Sequence, residues 1–196
     1  MPATSKKAAN WNRKAAKQGV LQPSPQTLEA LMNLKLDDVP APAKKTSKRP
    51  AKATGKALLA AASADDTEEA CRLVEAGADV NAKEGNGWTP LMYAADRKNE
   101  KLAKALLDKG ADVNHRDTPM GCAAIHFAAE GENDDVLRLL IDRGAEIDIR
   151  NNQGETPLFY AAGMGREHCA KLLVDSGCDV TAKNFVGRSV FYAAVH

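Results

Sequence analysis

Four cysteines, four histidines and scattered acids are the side chains of this 196-residue chain suited to covalent, acid–base or metal chemistry. Cys71, Cys122, Cys169 and Cys178 follow no CxxC or paired-ligand spacing, and His115, His126, His168 and His196 stand at no ligand interval from them or from an acid. There is no Ser-His-Asp ordering, no phosphate-cradling glycine loop and no convergent pair of carboxylates. The expectation is a chain without catalytic residues, metal or cofactor, and with its thiols reduced. What remains is the chemistry of contact. Trp, Met, Phe and Arg anchor interfaces because they desolvate large areas or fork onto acidic groups, and Trp88, Arg116, Met120, Arg150, Phe185 and Arg188 fall in segments set about 33 residues apart.

An internal repeat sets those intervals. Gly77-Ala78-Asp79-Val80 returns as Gly110-Ala111-Asp112-Val113, as Gly144-Ala145-Glu146-Ile147 and as Gly177-Cys178-Asp179-Val180, with glycine spacings of 33, 34 and 33. Between these marks lie Thr89-Pro90-Leu91-Met92-Tyr93-Ala94-Ala95 and its counterparts Ala123–Ala129 and Thr156–Ala162. Shifting by 33 in either direction finds Lys56–Ala62 and Ser189–Val195, which makes four units and a half.

Within a unit, Thr-Pro predicts a helix start, the hydroxyl capping free amides and the proline giving up no hydrogen bond. Leu102, Leu106 and Leu107 recur at helical spacing as Val136, Leu140 and Ile141 and as Cys169, Leu173 and Val174, so a second helix lies against the first across paired alanines. The glycine after it predicts a left-handed C-cap, followed by an outward-projecting turn.

Gly87-Trp88-Thr89-Pro90-Leu91-Met92 and Gly110-Ala111-Asp112-Val113-Asn114 resemble the signatures of the ankyrin repeat. The resemblance covers about 140 residues. It implies an all-α solenoid of helix-turn-helix units with projecting turn or hairpin loops over residues 55–196, divided at about 55–87, 88–121, 122–154, 155–187 and 188–196. Ala123-Ala124 replaces Thr-Pro in the third unit, which also carries an extra residue near Thr118-Pro119-Met120, so a distorted or protruding turn is expected there. Glu69 and Arg72 stand in columns that are apolar in the neighbouring units, as the polar outer face of an N-terminal cap should. Phe191 and Tyr192 fall in the final half-unit, which is either the cap or part of a longer array.

The resemblance further implies a protein partner held by the turn tips and the exposed side of the first helices. Trp88, Arg116, Met120, Arg150, Phe185 and Arg188 fall on the tips, with Asp96, Arg97 and Met164 just after the first helices. Trp88 and Phe185 are the leading anchors, the other reading of each being that it packs on its own hairpin. The basic tips Lys83, Arg116, Arg150, Lys183 and Arg188 suit an acidic partner or are merely a solvated rim. His126, the family histidine, is expected to bond neighbouring turns, Cys169 and Cys178 to be core, and Cys71 and Cys122 to be accessible. Asn81 and Asn114 lie in Leu-x5-Asp-Val-Asn strings that resemble targets of asparaginyl hydroxylases.

Charge divides the chain. Residues 1–54 carry eleven Lys or Arg against three acids, a net of +8, which leaves −7 for the rest. With six of the nine prolines and one aromatic, Trp11, this tail is expected to be disordered. A short capped amphipathic helix over 25–36 is its exception. The spacing of Leu28, Leu31, Leu34 and Leu36 resembles a nuclear export signal, and Lys44, Lys45, Lys48 and Arg49 resemble an import signal, the alternatives being a docking helix and a solvated linker. Contact with a polyanion or RNA is a further option for the tail, and nucleic-acid association or membership of a large complex the alternative to a free adaptor. No apolar run suits a membrane span and no small-molecule substrate is implied. The expected location is cytoplasmic or nuclear, with mitochondrial import the alternative raised by the basic, acid-free first 28 residues.

Overall fold

The computed structural model of the chain describes residues 54–194. The helix expected over 25–36 and the leucine and lysine-arginine motifs of the tail lie outside them. The described residues form α1 (Gly55–Ser63), α2 (Thr67–Glu75), α3 (Pro90–Asp96), α4 (Glu100–Asp108), α5 (Ala124–Glu130), α6 (Asp134–Asp142), α7 (Pro157–Gly163), α8 (Glu167–Asp175) and α9 (Val190–Ala193). Odd-numbered helices pack each on the next in one layer. Even-numbered helices stack in a second layer, each against the first helix of its own unit. No strand forms among the described residues, and a lone antiparallel bridge joins Lys183 to Ser189 in the last turn.

Local chemistry starts and stops these helices. Thr54 and Thr89 accept from the amides of Ala57 and Met92, and Pro90 and Pro157 occupy first-turn positions. The second helices are capped by Asp66, Asn99 and Asn133, whose side chains accept from Glu69, Leu102 and Val136. Gly77, Gly110, Gly144 and Gly177 end them with φ of 83, 83, 85 and 90°, the left-handed cap that their spacing predicts. The hydroxyl cap expected of both Thr-Pro pairs forms at Thr89 and not at Thr156, whose buried Oγ1 has no hydrogen-bond partner.

The core follows the period. Leu58, Leu91, Ile125 and Leu158 form one buried column, and Leu73, Leu106, Leu140 and Leu173 another. Ala61, Ala94, Ala128 and Ala161 keep the paired helices close. Each buried leucine contributes roughly 1.5–3 kcal/mol relative to exposure. At the first unit Arg72 pairs with Glu69 on the outer face, the polar end expected of a cap. Phe191, which continues the Leu58 column, is 74% exposed because no first helix packs beyond it among the described residues.

Polar groups also cross between units. The Asn81 side chain donates to Gly110 O and accepts from Asp112 N, and Asn114 does the same with Gly144 O and Glu146 N. At the third position Asp148 accepts from Asp179 N. The Gly-Ala-Asp-Val-Asn string is therefore both a helix stop and the fastener to the next unit.

Candidate protein-binding surface

The turns that precede the first helices are built alike. Glu84 N donates to Trp88 O, Asn151 N to Glu155 O and Asn184 N to Arg188 O, each spanning four residues. In the third unit Asp117 N donates to Cys122 O, spanning five, and this loop takes up the extra residue. Asp117 Oδ1 accepts from both Met120 N and Cys122 N, so the longer turn is ordered from within and presents Met120 at 43% exposure. Successive tips are tied to one another: Thr118 N donates to Asn86 O (2.9 Å), Asn152 N to Met120 O (2.8 Å) and Phe185 N to Gln153 O (2.9 Å). This ladder fixes the spacing of the tip side chains.

Phe185 (72% exposed) and Met164 (52%) project as the sequence suggests. The Phe185 ring lies over Gly154, whose φ of 80° and missing side chain admit it; a Cβ there would sit 2.7 Å from Phe185 Cδ1. Arg188 is exposed, its guanidinium 4.7 Å from the centre of the Tyr192 ring. Asp96 and Arg97 are exposed and pair with each other at 3.5 Å.

Two expectations need correction, those for Trp88 and Cys122. Trp88 does not project as a free anchor: it is half-buried between Tyr93 and Phe127, with ring centroids 4.9 and 4.7 Å away, because the unit that follows supplies Phe127 as a second wall. Arg116 and Arg150 stand exposed on the tips, and each is held by hydrogen bonds. Arg116 donates to Gly121 O and Asn152 Oδ1, and Arg150 to Gly154 O and Lys183 O, so both guanidiniums brace neighbouring turns while keeping their charge at the surface. Cys122 is 2% exposed with its Sγ 3.1 Å from Tyr160 Oη, since the longer turn folds it inward.

Burial pushes up the thiols of Cys71 and Cys122, drives Cys169 to about 12, with Asp134 adding to it, and Cys178 to about 11, so none is an activated nucleophile. His126 is fully buried, its Nδ1 accepting from Ala123 N and its Nε2 3.3 Å from Glu155 O. Burial holds it down to about 4, so it is a neutral brace between α5 and the next turn, the role expected of it. Among the described residues no cluster of His, Cys, Asp or Glu suits a metal, and no helix is long and apolar enough to cross a membrane.

Tyr93, Phe127 and Tyr160, at the same offset in three units, form a half-buried aromatic row on the exposed side of the first helices. The Tyr93 hydroxyl donates to Glu84, and the Tyr160 hydroxyl accepts from Asn151. Sequence reasoning gave this row no role, although superposing the units puts the three rings in one column. The leucines Leu28, Leu31, Leu34 and Leu36 and the basic residues Lys44, Lys45, Lys48 and Arg49 lie outside the described residues.

Among similar proteins, a mitochondrial disaggregase of Homo sapiens is 51% identical over 61 residues, 31% of this chain. An ankyrin repeat protein of Acanthamoeba polyphaga mimivirus is 32% identical over 100 residues, 51% of this chain, and protein phosphatase 1 regulatory subunit 12A of Mus musculus is 43% identical over 65, 33% of it. The chain spans only 9, 13 and 6% of the lengths of these three relatives. The family model for ankyrin repeats (3 copies) matches residues 15–117 and 115–184, well over half of the sequence, and the chain belongs to the ankyrin-repeat family.

Proposed function

We propose that this chain is a non-catalytic adaptor or scaffold that holds a protein partner on its turn tips and on the exposed side of its first helices. Ankyrin repeats generally mediate protein–protein interaction, and one similar protein is a regulatory subunit of a phosphatase. The observation that carries the proposal is the tip-to-tip hydrogen-bond ladder, which presets Met120 and Phe185 as exposed apolar side chains on two turns joined through the turn Asn151–Glu155 between them. Exposed anchors on a rigid frame lose little entropy on binding, and each contributes on the order of 1–2 kcal/mol or more.

The test is capture of partners by the full chain from native extract, compared between Met120→Glu with Phe185→Glu and a second-helix control, Lys104→Glu with Arg138→Glu. The proposal predicts at least a tenfold loss of the captured partner with the first pair and retention with the second. Equal retention would contradict it.

The charge division, +8 against −7, favours a second reading in which the tail binds a polyanion such as RNA, alone or within a large complex. Capture lost on deleting residues 1–53, and lost steeply with salt, would select that reading. The proposed location is cytoplasmic or nuclear. The acid-free basic N-terminus and the likeness to mitochondrial disaggregases support import into mitochondria as the alternative, which fractionation of the tagged full chain decides.

A further inference from the structure

The aromatic row breaks off at both ends of the array. Tyr93, Phe127 and Tyr160 are flanked in register by Ala60 in α1 and Ala193 in α9. The turn facing α1 is also small there: it carries Ala82, an alanine as in the fourth unit (Ala182), where the second and third units place His115, with Nε2 3.0 Å from Gly87 O, and the buried Ile149. With no ring at Ala60 and only Ala82 opposite, a groove of about 580 Å³ opens between α1 and the turn Ala82–Gly85. Its volume is that of a ligand site, which runs at roughly 300–1,000 Å³. At the other end, the space between α7 and Ala193 is about 270 Å³.

The lining states what would fill it. Leu59, Ala60 and Ala82 make an apolar floor, and the one carboxylate in the wall, Glu84, is engaged by the Tyr93 hydroxyl. At the rim Lys56 and Lys83 are exposed and form no ion pair or side-chain hydrogen bond among the described residues. Lys56 lies in the first turn of α1, so an anion beside it also meets the favourable end of the helix dipole. The site therefore offers a slot for a flat apolar ring beside two uncommitted cations.

We propose that the groove between α1 and the turn Ala82–Gly85 receives an aromatic side chain flanked by carboxylates from a protein partner, which completes the aromatic row where the chain has Ala60. This rests on the adaptor reading and gives that partner a chemical signature.

The experiment uses the uniformly 15N-labelled full chain titrated with a blocked pentapeptide, Asp-Asp-Trp-Asp-Asp, followed by amide chemical shifts. Controls are the same peptide with alanine for tryptophan and with lysine for aspartate. Saturable shifts centred on Leu59, Ala60, Ser63 and Gly85 are expected. They should weaken at least tenfold with the alanine or lysine peptide, and at least tenfold in Ala60→Tyr, which supplies the ring from within. Lys56→Glu with Lys83→Glu alters only exposed charges, so it tests the same point without endangering the fold, and a comparable loss is expected. Shifts that do not saturate, that survive Ala60→Tyr or the charge reversal, or that the lysine peptide reproduces would overturn the proposal. If partner capture requires Met120 and Phe185 but ignores Ala60→Tyr and the charge reversal, the groove proposal falls and the adaptor reading stands. If the peptide fills the groove while capture ignores Met120 and Phe185, the adaptor surface falls instead.

Discussion

Replacing His126 with glutamine should change how the protein responds to acid as well as how stable it is. Free histidine titrates near 6.5, and burial holds His126 down to about 4. The unfolded chain therefore takes up a proton between these values that the folded chain refuses. Because the folded value is the lower one, stability is intact above about pH 6.5, falls as pH drops towards 4 and is flat below that with respect to this group. The full separation corresponds to about 3 kcal/mol, of which about 2 kcal/mol is already lost at pH 5. At pH 7.5 the variant should be less stable by about 2–4 kcal/mol, since the Ala123 amide and the Glu155 carbonyl lose a buried partner. Urea unfolding of both proteins at pH 7.5 and pH 5 isolates the effect, because carboxylates and the other histidines titrate in both and cancel in the difference. The stability gap should shrink by about 2 kcal/mol at pH 5. An unchanged gap would refute the reasoning.

Other substitutions read the turns and caps. Thr89→Val should cost about 1 kcal/mol in urea unfolding through loss of the Met92 cap, whereas Thr156→Val, which removes a buried hydroxyl without a partner, should be neutral or stabilising. Between the two helices of successive units, Asp65, Lys98 and Glu132 hold φ of 58, 59 and 56° where the fourth unit has Gly165, so Lys98→Gly should stabilise by about 1 kcal/mol and Gly144→Ala, at φ 85°, should destabilise by a similar amount. With Ellman's reagent the folded protein should show about one slowly reacting thiol, Cys71, while Cys122, Cys169 and Cys178 react only as fast as the array opens.

What the sequence made legible was whatever repeats within a unit. Gly77, Gly110, Gly144 and Gly177 announce their own C-caps, and the columns Leu58–Leu158 and Leu73–Leu173 announce the core, because helix period and repeat period act on neighbouring residues. What it hid depends on neighbours a whole unit away. Trp88 looks like an exposed tip until Phe127 closes over it, and Arg116 and Arg150 look like free charges until Asn152 and the Lys183 carbonyl come within reach. Cys122 looks accessible because it falls on a turn, yet Asp117 accepts two amides inside that loop and the thiol is drawn in. The groove at Ala60 is hidden for the opposite reason: an alanine means nothing singly, and only the rings Tyr93, Phe127 and Tyr160 that replace it in the next three units show what is missing.

The central claim, that the turns and first helices are the working face of the array, is tested most directly by hydrogen exchange of the full chain with and without its captured partner. The account predicts added protection at the turns around Asn86, Met120, Gln153 and Phe185 and at the ends of α3 and α7. Protection confined to α2, α4, α6 and α8, with the turns unchanged, would contradict it.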